Sequence, residues 1–177
     1  MSRFRFQIFC IIAFGVLVST AFSFETFPPA SGPLVSGSKA TLRYGVAAAP
    51  VNAPLPVKRA IWAANQLRRK PYRYGGGHRS FFDDAYDCSG TVSYVLAAAG
   101  LVRSPISSDE FRSFGSGGEG KWITVYARNG HTFAVIAGLR LDTTEWNEIR
   151  ANKHWAPRWR SNFRKTNGFE ARHPVGL

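Results

Sequence analysis

The apolar positions change period along the chain, and each change marks an element. Arg3 and Arg5 precede a stretch from Phe6 to Phe24 that carries no formal charge. Phe24 to Pro56 is rich in Pro, Ala, Gly and Ser, without a hydrophobic period, and predicts a mostly extended linker. From Val57 to Lys70, Ile61, Ala64 and Leu67 recur at helical spacing among Lys58, Arg59, Arg68, Arg69 and Lys70, and Pro71 stops the helix. Asp87 to Ala99 is the clearest helix: Asp87 suits its N-cap, Val92, Val95, Leu96 and Ala99 form its apolar stripe, and Gly100 ends it. Ser104 to Gly120 reads as a flexible Ser/Gly-rich loop. The period then shortens to that of strands over Lys121 to Arg128, His131 to Ala137 and Leu139 to Thr143, with Asn129-Gly130 as a hairpin turn. The tail from Asn152 is rich in Trp and Arg and has no period. Helices first and strands later predict an α+β fold, with the helix at 87–99 packed on an antiparallel sheet.

Composition narrows the setting. The chain has 177 residues, enough for one domain plus an extension, and 45% hydrophobic with 14% aromatic residues excludes wholesale disorder. The uncharged stretch, followed by small residues two apart in Ala21-Phe22-Ser23, predicts a signal peptide over 1–23. The alternative is an uncleaved N-terminal membrane anchor, since 19 residues barely span a bilayer. Either way the remainder is exported, to the periplasm or to the cell surface and wall. The expected organisation is signal peptide 1–23, linker 24–56 and a single domain 57–177. The formal charge is +12; loss of Arg3 and Arg5 with no acid leaves 21 basic against 11 acidic residues, or +10. Export turns that charge toward anionic envelope polymers or acidic lipids and away from nucleic acid. It also leaves Cys88 as the only cysteine of the mature chain, unable to form an internal crosslink.

Cys88 falls in the first turn of the 87–99 helix, where unused backbone N–H groups and the macrodipole favour an anion, which predicts a lowered thiol pKa. A nucleophile needs a base, and His131 opens a strand just after the Asn129-Gly130 turn. The base in turn needs an orienting partner, for which Asp142 is the candidate. Hairpin register decides that assignment. A two-residue Ala137-Gly138 turn sets Asp142 opposite Phe133, on the same face as His131 and one diagonal step away; a Gly138-Leu139 turn sets it one step too far; a bulge reverses the face. Asn147 and His154 are the next candidates.

These residues carry a family resemblance. Pro71-Tyr72-Arg73-Tyr74-Gly75-Gly76, Asp87-Cys88-Ser89-Gly90 heading a helix, and Gly130-His131 opening a strand together resemble the NlpC-type cysteine peptidases, papain-like enzymes of the bacterial cell wall. The resemblance covers Val57 to about Thr143. It implies a nucleophile helix packed on an antiparallel sheet, Cys88 as nucleophile, His131 as base and Asp142 as the third polar residue. It implies Tyr72 at the oxyanion or substrate site, and Asp87 and Ser89 as contacts to a peptide amine. The implied activity is hydrolysis of peptidoglycan stem peptides between D-glutamate or D-isoglutamine and diaminopimelate or lysine, by a monomer without metal or organic cofactor. The chain departs from the family at Thr91, where a large apolar residue is usual. Gly120-Lys121-Trp122-Ile123 also replaces the usual Pro-Gly-Asp-Leu segment. Two rival functions remain open: a related thiol amidase or acyltransferase, and a non-catalytic wall-binding module.

Other motifs carry less. Gly115-Ser116-Gly117-Gly118-Glu119-Gly120 fits GxGxxG, but a strand follows it, whereas a phosphate site needs a helix N-terminus. No HExxH occurs. Trp155, Trp159 and Phe163 interleave with Arg158, Arg160 and Arg164, a pattern that fits packing over the sheet better than glycan binding. His78, His154 and His173 read as surface or packing residues.

Overall fold

The computed structural model describes Phe27 and residues 31–144, 156–160 and 164–177. The expected signal peptide, Asn147, His154, Trp155 and Phe163 lie outside them. Among the described residues, no helix is long and apolar enough to cross a membrane.

The fold is α+β. Helix α1 spans Leu55–Leu67 and helix α2 spans Cys88–Ala98. α1 starts two residues before the expected position because Pro56 is tolerated in a first helical turn, where its missing N–H has no partner to lose. α2 begins where Asp87 caps it, accepting the Gly90 N–H at 2.8 Å. Six strands form one antiparallel sheet: β4 (Ser116–Gly117), β5 (Ile123–Arg128), β6 (His131–Ile136), β7 (Leu139–Asp142), β8 (Arg158–Arg160) and β9 (Glu170–His173). Their order is β4-β9-β5-β6-β7-β8, so the C-terminal β9 inserts beside β5 while β5, β6 and β7 form a meander. Val57, Ile61, Val92, Val95, Ile136 and Leu141 share one core between the helices and the sheet.

The expected linker differs. Within 24–56, Leu34–Val35 (β1), Thr41–Arg43 (β2) and Val46–Pro50 (β3) form a second small sheet in the order β1-β3-β2. Ala47 and Ala49 are fully buried, and Asn65 of α1 binds both backbone groups of Ala47, at 2.8 and 2.9 Å. Trp159 of β8 donates its indole N–H to the same Asn65 oxygen. A run of alanines offers no hydrophobic period, yet its small side chains let strand β3 approach the helix closely. The Ser104–Gly120 loop is also more ordered than its composition suggests. Ser93 holds Ile106 through both backbone groups, Phe111 is fully buried in a 3-10 turn at Glu110–Ser113, and β4 pairs with β9.

Two turns set the meander's register. Asn129-Gly130 joins Arg128 to its partner His131, with Gly130 at φ 78°. Ala137 and Gly138 both take positive φ, 48° and 89°, as a type I′ hairpin requires. Alanine is a strained choice there, and it is held on both sides: its N–H reaches Trp122 O at 2.7 Å and its C=O accepts from Ala40 at 2.9 Å. Ile136 therefore faces Leu139 and Ala134 faces Leu141, and one further step sets Phe133 opposite Asp142.

Candidate active site

Cys88 is the first helical residue of α2, and the helix lies across the start of β6. Gly90 explains how the helix start sits so close to the preceding turn: a Cβ there would lie 2.0 Å from Gly76 O, so only glycine fits. The Cys88 sulfur meets the backbone N–H of Thr132, the residue after His131, and the N–H and hydroxyl of Ser89. Cys88 is 8% exposed and His131 9%. Burial pushes the Cys88 thiol above its ordinary value and the neighbouring Asp87 charge adds to this, while the Thr132 and Ser89 donors pull it back only in part. This corrects the expectation of a lowered pKa. Helix position alone favours the thiolate, but desolvation and the capping carboxylate outweigh it. Both effects favour the neutral thiol.

His131 opens β6, next to the Thr132 whose N–H meets the Cys88 sulfur. Its Nε2 lies 3.1 Å from Asp142 Oδ1, the juxtaposition that the Ala137-Gly138 register allows. With Nε2–H donated to the carboxylate, Nδ1 is the nitrogen that carries the lone pair of a neutral ring. The imidazole is wedged against Phe133 and Phe169, with ring centroids 6.4 and 6.1 Å away. Arg128 lies over the Phe169 ring at 4.6 Å.

Asp142 is only 1% exposed and is fully engaged. Besides His131, its oxygens accept from Arg164 Nη1 at 2.8 Å, Thr144 N at 3.1 Å and Thr144 Oγ1 at 3.3 Å. Burial raises its pKa, but the His131 hydrogen bond, the charges of His131 and Arg164 and the Thr144 N–H outweigh burial, leaving it below the ordinary 3.8. The unfolded chain then takes up this proton first. The stabilisation is complete above about pH 4 and is lost as pH falls through the lower folded value. Denaturant unfolding of the wild type should show an acid-side fall in stability that Asp142→Asn reduces. An identical acid limb in both proteins would mean that Asp142 is not ionised in the fold.

The remaining residues cluster around the thiol. Tyr72 is half-buried beside Cys88 and Asp87, and burial followed by those two negative centres pushes its phenol up to about 12. Asp87 is 3% exposed; its carboxylate accepts from Gly90 N, Gly75 N at 3.0 Å and Ser89 Oγ at 3.2 Å, and also meets His78. With those partners the carboxylate is committed to holding the fold, which leaves less room for the peptide-amine contact that the resemblance implies. Neither Arg164 nor Thr144 carried a motif signal. Arg164 is 22 residues from Asp142 in sequence and joins the site only when the tail folds back. His78 is exposed, as the sequence reads it, and its Nε2 also lies within 3.1 Å of both Asp87 and Ser89. Among the Arg/Trp tail residues, Trp159 is buried and Arg160 nearly so, in keeping with packing. No three His, Cys, Asp or Glu side chains among the described residues converge as a metal site requires.

No family model matches the chain, and no curated protein matches it.

Proposed function

We propose that this chain is an exported cysteine peptidase of the NlpC type, papain-like in arrangement, that hydrolyses peptide bonds in peptidoglycan stem peptides as a monomer. The observation that supports it most is the Asp142–His131 hydrogen bond on the strand face against which the Cys88 helix start packs. In this reading the Cys88 sulfur attacks the scissile carbonyl carbon as its proton passes to His131 Nδ1. Asp142 holds the ring in that tautomer and stabilises the imidazolium that forms. The developing oxyanion is met by the Cys88 backbone N–H, which the helix itself does not use, and by the Tyr72 hydroxyl. A phenol pushed up to about 12 stays protonated, and so remains a donor, throughout the neutral range. His131 then protonates the departing amine. Water, deprotonated by His131, cleaves the thioester and restores the thiol. The net charge of +10 keeps the protein near its anionic polymer.

Mass spectrometry of peptidoglycan fragments after incubation with the mature chain tests this. Stem peptides cut beside diaminopimelate or lysine are expected. Fragments severed at the sugar–peptide amide would make the protein an amidase. Unchanged fragments with intact binding would make it a non-catalytic wall module.

A further inference from the structure

A second histidine contacts both sequence neighbours of Cys88, Asp87 and Ser89. His78 follows the Gly75-Gly76-Gly77 turn, and its Nε2 lies 3.0 Å from Ser89 Oγ and 3.0 and 3.1 Å from the two Asp87 oxygens. Ser89 in turn sends both its N–H and its hydroxyl toward the Cys88 sulfur. The serine has one hydroxyl proton and two places to put it: Asp87 Oδ1 at 3.2 Å, or the sulfur. An imidazole N–H directed at Asp87 and Ser89 changes that choice. It supplies the carboxylate with a donor and fills the serine's acceptor side, so the hydroxyl proton is released toward Cys88.

We propose that His78 is a positioning residue for the nucleophile, acting through Ser89: it turns the Ser89 hydroxyl onto the Cys88 sulfur. The thiolate formed during attack then has three donors, from Thr132 N–H, Ser89 N–H and Ser89 O–H. This offsets the cost of a buried negative charge beside a carboxylate. The charged and titratable neighbours are Asp87 and Tyr72 around Cys88, and Asp87 and Glu110 around His78.

The proposal rests on Cys88 being the reacting thiol, and its test needs no wall substrate. Iodoacetamide alkylation follows the thiolate: a carbon–sulfur bond forms and iodide leaves. At one pH below the thiol midpoint, His78→Ala should slow alkylation roughly three- to tenfold, as loss of one charge-assisted hydrogen bond does. Ser89→Ala should slow it by a similar factor, and the double variant should be no slower than Ser89→Ala alone. His78→Gln, whose amide N–H can still donate, should restore most of the rate. Wild-type rates in folded His78→Ala would overturn the proposal, as would a double variant slowed by the product of the two single factors. If His78→Ala does not fold, Ser89→Ala and His78→Gln decide: equal slowing in both supports a bulk packing role and overturns it. Wall hydrolysis can fail while this pattern holds, or succeed while it fails, so the two readings are separated.

Discussion

Cys88→Ala should lower wall hydrolysis by roughly four orders of magnitude or more while leaving the fold in place. The reason is chemical: in the proposed reading the Cys88 sulfur is the nucleophile, and no other thiol occurs among the described residues. The fold tolerates the change because alanine is the best helix former and the lost group is one sulfur at the mouth of the site. A stability change within about 1 kcal/mol is expected. Fragment release and thermal unfolding measured on the same preparation check both halves. Hydrolysis by the folded variant at the wild-type rate would end the peptidase reading.

Asp142→Ala should damage two properties at once. Losing the carboxylate frees the His131 ring to take the wrong tautomer, which should lower kcat by roughly two to four orders of magnitude with KM little changed. It also takes the carboxylate from Arg164, which spans Asp142 Oδ2 and Thr144 Oγ1 at 2.8 and 2.7 Å, and removes a negative charge 3.8 Å from Arg140 Nε. Breaking a buried charge pair in this way should cost about 2–4 kcal/mol. The burial of Asp142 and its arginine partner are the source of that cost. Asp142→Asn keeps an acceptor for the imidazole N–H, so its activity should fall less, but its amide cannot pair with Arg164. Near-wild-type turnover and stability in both variants, measured by steady-state kinetics and urea unfolding, would remove Asp142 from the site.

These predictions differ in how far the sequence supported them. Asp87 as a cap, the helix bearing Cys88 and the strand opening at His131 all follow from contacts between near neighbours. Caps, turns and periodicities act over a few residues of backbone, and they are written locally. The Asp142–His131 pair stands between: the sequence leaves three registers open, and the Ala137-Gly138 turn, held by Trp122 and Ala40, selects the one that joins them.

Other features depended on parts of the chain that meet only in three dimensions. Val46–Pro50 became a buried strand because Asn65 of a separate helix reads its backbone, which alanine composition cannot announce. Arg164 and His78 joined the site through the fold-back of the tail and the glycine turn. The thiol's pKa changed direction for the same reason. A helix terminus favours a thiolate wherever it occurs, but desolvation and an adjacent carboxylate depend on what closes over the sulfur. Burial and pairing across elements are properties of packing, and no local pattern in the chain records them.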